Sequence, residues 1–221
     1  MSVFRWTSPE FWKWLNSQDT RPCTDTVLDF LQGFEKFECY HGCRVETVSS
    51  YYERGLEVHC QQELNRSASE LLSVELDEIR RVSMEINDTD EGVVHVVLDA
   101  RELIKKSGHY LIYGSEWIFV LAGLLGGDLR SRLRKRGKPT LLRMEVPFNR
   151  LSLSQLEQLA EYIPAALWED LPHFQSIPVV SSAVQIRDRV PPEFVISHEH
   201  PTAIVDHHDD GRIYDYRKIE V

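Results

Sequence analysis

No apolar run in this chain approaches the ~20 residues that a membrane-spanning helix needs, so a bilayer-spanning helix is not expected. Cysteine is scarce. Its four residues, Cys23, Cys39, Cys43 and Cys60, all lie in the first third and lack C-x-x-C spacing, too few to staple 221 residues. They read as reduced thiols. An excess of positive charge is also missing: 25 Lys and Arg stand against 35 Asp and Glu, and a net charge of −10 argues against wholesale wrapping of nucleic acid. It leaves room for a local basic patch. There is no internal repeat, no low-complexity segment and no linker that would mark a domain boundary. Met1–Trp6 lacks the charged-then-apolar layout of a signal peptide, so a soluble, cytoplasmic protein is expected.

What is present is enough apolar material, 42% of the chain, to bury one sizeable core. Ser8-Pro9-Glu10 is a helix start ahead of Phe11, Trp12, Trp14 and Leu15. A second helix is expected from Thr24 to Gln32, stopped by Gly33. A strand follows at Phe37–His41, with His41-Gly42-Cys43-Arg44 at its end. A short helical piece then closes at Arg54-Gly55-Leu56. Ser67-Ala68-Ser69-Glu70 has the capping-box pattern and predicts a helix to about Met84. A turn at 87–92 precedes a β-branched strand, Val93–Leu98, in which His95 is expected to be structural.

Gly108–Gly114 reads as another strand. Ser115 caps a helix of Glu116–Leu125 that is apolar nearly all round and therefore buried. The run Arg130–Lys138 predicts either a solvated charged face or a phosphate-facing patch. Pro139–Val146 is a strand, and Ser154-x-x-Glu157 opens an amphipathic helix to Pro164. After a loop at 171–178, Ala183–Arg189 and Glu193–His198 are strands joined by Val190-Pro191-Pro192, and the alternating tail 213–219 is a candidate edge strand. Early helices followed by strands predict α+β rather than an alternating parallel fold. Residues 1–36 are expected as a helical segment packed on a core of residues 37–221.

Three separated pieces carry chemistry: Tyr40-His41-Gly42-Cys43-Arg44 with Gly55-Leu56 behind it, Gly108-His109-Tyr110 leading to Ser115, and Pro191-Pro192-Glu193-Phe194-Val195-Ile196. Taken singly, His41 reads as a satisfied strand histidine and Gly42 as a bulge. In their order they resemble the ADP-ribosyltransferase superfamily, in the branch of the poly(ADP-ribose) polymerases and tRNA 2′-phosphotransferases, over roughly residues 37–200. The resemblance implies a split mixed β-sheet core with N-terminal helices and an inserted helix. It also implies NAD as substrate, cleavage of the nicotinamide–ribose bond, and transfer of ADP-ribose to a protein or nucleic-acid acceptor.

Residue by residue, the resemblance gives His41 the adenosine ribose, the Gly42 backbone and Ser115 the carboxamide, and Tyr110 the nicotinamide ring, with Tyr113 as a second aromatic. Arg44 would meet the pyrophosphate and Glu193 would be the catalytic carboxylate, with Glu116 and Glu199 as rivals. No metal is needed. The chemistry is consistent, because a departing nicotinamide leaves a cationic ribose that wants a stacking platform and a nearby carboxylate. Cys43 departs from the small hydroxylated residue usual after His-Gly. A toxin, effector or phage-defence role, with a regulatory partner or antitoxin, is associated with small stand-alone transferases of this kind. Two other readings stay open. One is a metal-dependent hydrolase built on His198-x-His200 and Asp206-His207-His208-Asp209-Asp210, a segment that otherwise reads as a surface turn. The other is a non-catalytic binding module on the same fold.

Overall fold

The protein is described from a computed structural model over residues 2–86, 92–167, 179 and 183–218. The expected turn at 87–91 and the loop at 171–178 lie outside these residues. Strand β1 (Val3–Phe4) leads to α1 (Pro9–Asn16), where Ser8 Oγ accepts from the Phe11 amide as the sequence predicts, and then to α2 (Thr24–Leu31). Their apolar faces, Phe4, Trp6, Phe11, Leu15, Val27 and Leu31, join one cluster with Phe37 and Met144 of the sheet.

Strand β2 is Lys36–Val45, longer than expected. His41 and Gly42 therefore sit within a strand and not at its end. Helix α3 (Ser49–Arg54) closes on Gly55 at φ 76°, where a Cβ would run into the Val190 carbonyl; that close approach allows the bridge between Leu56 and Val190.

The expected Ser67 helix start is corrected. Helix α4 (Gln61–Leu72) begins at Cys60, whose amide donates to Glu63 at 3.0 Å, and Ser67–Glu70 lies inside it. Ser73 adopts φ 54° and separates α4 from α5 (Leu76–Ser83), so the single expected helix is two.

Strand β3 (Val94–Val97) and α6 (Ala100–Lys105) follow. The segment expected as a strand at 108–114 is instead helix α7 (His109–Tyr113). Its tyrosines and isoleucine favour strands only as packing residues, and here His109, Leu111, Ile112 and Tyr113 are buried among helices. Gly108 lets α7 approach the Val205 backbone, and Gly114 turns the chain at φ 103°. Helix α8 (Glu116–Leu125), capped by Ser115, is buried as expected, and α9 (Leu129–Arg134) carries part of the basic run.

Strand β4 (Lys138–Pro147), helix α10 (Leu153–Leu167), β5 (Ala183–Ile186) and β6 (Val195–Glu199) complete the main sheet, and β7 (Ala203–Asp206) with β8 (Arg212–Asp215) forms a separate hairpin. The main sheet runs β5-β3-β2-β4-β6, with β1 parallel to β2 and the other pairings antiparallel. The class is α+β, as expected. The two late strands flank the sheet at opposite edges. One helical layer (α1, α2, α10) covers one face around Phe37, Met144 and Val146, and α4–α8 cover the other around Leu103, Leu111 and Leu141. Among the described residues no helix is long and apolar enough to cross a membrane.

Candidate functional site

Strand β2 is paired unequally. Towards β4 it makes ten pairs, Lys36↔Pro147 through Val45↔Lys138. Towards the other side β1 takes Lys36 and Phe37, and β3 meets β2 only at Tyr40↔Val97. From His41 onward the sheet opens, and a cavity of about 850 Å³ lies between His41–Val45 of β2 and Val93–His95 at the start of β3. That volume falls within the ~300–1,000 Å³ usual for small-molecule sites. Because alternate residues of a strand face opposite ways, the opening is lined from both layers: Cys43 and Tyr51 from one, Leu103, Tyr110 and Trp117 from the other.

His41 reaches across the gap, its Nδ1 2.8 Å from the His95 carbonyl oxygen. A carbonyl only accepts, so the ring proton belongs on Nδ1, and Nε2 is the acceptor nitrogen of the neutral imidazole. Gly42 points into the other layer, where a Cβ would stand 3.3 Å from Leu103 and from Tyr110 Cβ. Its missing side chain thus seats α7 against β2, a packing role beside the ligand contact expected of it. Cys43 is buried, and burial pushes its thiol up to about 12.

Tyr110 lies half-buried on α7 rather than on a strand, and its hydroxyl donates to Glu116 Oε2 at 2.9 Å. Ser115 sits at the rim, its Oγ accepting from the Ile118 amide, so the N-terminus of α8 opens on the cavity. His41, Gly42, Tyr110, Ser115 and Glu116 therefore come together at one cavity although the sequence separates them.

Other expected residues have different surroundings. A guanidinium has five N–H donors, and Arg44 places them on the carbonyls of Arg136 (2.5 Å), Gly137 (3.1 Å), Leu111 (3.4 Å) and Arg134 and on the Tyr216 hydroxyl (3.4 Å). Burial lowers its pKa, but a guanidinium stays charged. It neutralises the carbonyl end of α9 and has no N–H left for a pyrophosphate. Tyr113 also lines the cavity, but its hydroxyl is held by Asp206 Oδ2 at 2.6 Å in the core; burial, then that bond, raises its pKa. Glu193 is on a 3₁₀ turn, Pro192–Phe194, not on a strand, and is not among the cavity's lining residues. Glu199 ends β6 beside Leu141 and does not line it either. Glu116 is the rival carboxylate that does.

The basic run is largely a solvated face, with Arg130, Arg132, Lys135, Arg136 and Lys138 exposed; three of its guanidiniums also have protein partners: Arg130 covers the Phe119 ring at 3.9 Å, Arg134 bonds the Tyr214 hydroxyl, and Arg136 pairs with Glu46 at 3.4 Å. Of the His/Asp cluster, His198 lies on β6 and His200 just after it, Asp206 ends β7, and 207–210 form the β7–β8 turn. Its members face separate partners: His198 the Tyr52 hydroxyl, His200 Pro139 and Thr140, His207 the Lys105 carbonyl, and Asp206 Tyr113. Among the described residues no group of three or more His, Cys, Asp or Glu side chains is placed to share an ion.

His109 had no expected role. It lines the cavity next to Tyr110, 9% exposed, with Nε2 3.8 Å from Glu116 Oε2. Burial lowers its pKa, partly opposed by the Glu116 charge. Glu102, another lining residue, is a carboxylate only 3% exposed. In sequence the only hint of either is position, His109 one residue before Tyr110 and Glu102 in the segment after the Val93 run. Comparison with family models, curated proteins and solved structures finds no match to this chain.

Proposed function

We propose that the opening between β2 and β3 binds a nicotinamide dinucleotide, and that the protein is an NAD-dependent ADP-ribosyltransferase built on an ADP-ribosyltransferase-like split sheet. One observation carries the reading: an imidazole, a phenol and a carboxylate (His41, Tyr110 and Glu116), drawn from three elements, line one cavity of small-molecule size. In the proposed chemistry Tyr110 stacks on the nicotinamide and His41 Nε2 accepts from a ribose hydroxyl. Glu116 takes the carboxylate role first given to Glu193. Its charge stabilises the ribose cation that forms as the C1′–N bond breaks, and it accepts the proton of the incoming nucleophile. The partial positive charge at the N-terminus of α8 suits the carboxamide oxygen or a pyrophosphate. Arg44 and Tyr113 act as wall residues. A net charge of −10 favours a protein acceptor over a nucleic acid.

The test is nicotinamide release and transfer of labelled ADP-ribose from NAD⁺ to a cell extract. Glu116→Gln should lower both by at least ~100-fold, Tyr110→Ala should abolish them, and Glu193→Gln should leave parental rates. Loss in Glu193→Gln with activity kept in Glu116→Gln would move the carboxylate role back to Glu193. Parental rates in both Tyr110→Ala and His41→Ala would end the reading.

A further inference from the structure

His109 is buried, and its Nε2 has no hydrogen-bond partner. A buried polar atom without a partner is uncommon and asks for an explanation. This one faces Glu116 Oε2 at 3.8 Å, too long for a hydrogen bond and short enough to become one with a side-chain rotation once either atom carries a proton. Glu116 itself is half-exposed and held by Tyr110. The ring is fixed from behind, with His208 edge-on at 4.9 Å and Phe119 at 6.1 Å between centroids.

We infer that His109 is a positioning residue for Glu116, receiving through that carboxylate the proton released by the attacking group. The inference rests on the reading of the cavity given above. The steps balance as follows. The C1′–N bond breaks and its electron pair leaves with nicotinamide, while a lone pair of the acceptor's O–H or N–H group forms the new bond to C1′. The proton of that group passes to a Glu116 oxygen and then to the lone pair on His109 Nε2, with the ring's own proton on Nδ1. The imidazolium returns it to solvent and the carboxylate is restored.

Neutral His109 is the receiving form, so acid should switch the relay off, and burial keeps that form present to lower pH than for an ordinary imidazole. The charged and titratable groups on the elements around α7 include Glu116 of α8, Asp206 and His208 of the hairpin, Arg130 and Arg134 of α9, Arg44 of β2 and Glu102 of α6. On β4 the residue in the same apolar cluster is Leu141.

Two measurements test the pair. With NAD⁺ and water as acceptor, His109→Asn should lower kcat for nicotinamide release about tenfold, leave KM in place and remove the acid limb of the kcat profile. By NMR, the His109 titration midpoint should fall in Glu116→Gln, because a favourable negative charge is gone. An unmoved midpoint, or a His109→Asn profile that keeps the parental acid limb and rate, overturns the pair. Absence of nicotinamide release from the parent protein overturns the reading of the cavity instead, and the NMR titration still decides whether the two side chains are coupled.

Discussion

Along one edge of β2 every residue from Lys36 to Val45 is matched by a residue of β4; along the other, β1 takes two, β3 takes one, and the five from His41 to Val45 have the cavity beside them. The matched edge is also the buried one: Leu142, Met144 and Val146 of β4 are fully enclosed. Successive residues of a strand direct their N–H and C=O groups to alternate sides, so the unmatched stretch turns part of its backbone towards the cavity. One strand therefore both holds the sheet together and lines the cavity.

This division should survive perturbation unevenly. Leu142→Ala, on the matched edge, should cost about 4 kcal/mol in urea denaturation while leaving the affinity for NAD⁺ within twofold in calorimetry. Gly55→Ala closes the cavity's far wall against Val190 at a positive φ; it should cost about 3 kcal/mol and weaken ligand binding as well, so the two readouts move together. Arg44→Met leaves the carbonyls of Arg134, Arg136 and Gly137 without their donor. A loss of about 2 kcal/mol is expected, and the salt dependence of the proposed NAD⁺ binding should stay parental, since that guanidinium's N–H groups are all held by the protein.

The smallest effect should be the pH dependence contributed by His109. Its folded pKa is below the ordinary imidazole value of about 6.5. Above that value both folded and unfolded forms are neutral and the residue is indifferent. Below it the unfolded chain binds the proton more readily, so stability should decline as pH falls through about 6.5 and level off once the folded form also protonates. His109→Asn should flatten that decline in thermal scans between pH 7 and 5. An unchanged slope would mean that other groups carry it.

Local signals were legible where a few neighbouring residues suffice. Ser8 before Pro9 starts α1, Ser115 before a nearly all-apolar run starts α8, and the β-branched run Val93–Leu98 holds the strand Val94–Val97. Gly108–Gly114 misled because glycines flanking aromatic and branched residues are the pattern of a strand. Here they are needed for a close approach to Val205 and for a positive φ at the end of a five-residue helix. Ser67-x-x-Glu70 matched a capping box that Cys60 and Glu63 form instead, since any hydroxyl and carboxylate at that spacing look alike until the helix has a starting point. Arg44 looked available because sequence shows charge and not the carbonyls that surround it.

By itself the chain's order of residues determined an α+β class and the placing of most helices and strands, and it singled out His41, Gly42, Tyr110, Ser115 and Glu116, which line one cavity, because these follow from propensity, capping and residue chemistry over a few positions. Tertiary structure alone decided that β3 leaves β2 after a single pair, that Tyr110 comes to the opening on a helix, and that Glu116 rather than Glu193 stands beside it. Those outcomes depend on which distant backbones can pack together, and no short window of sequence contains both partners of such a contact.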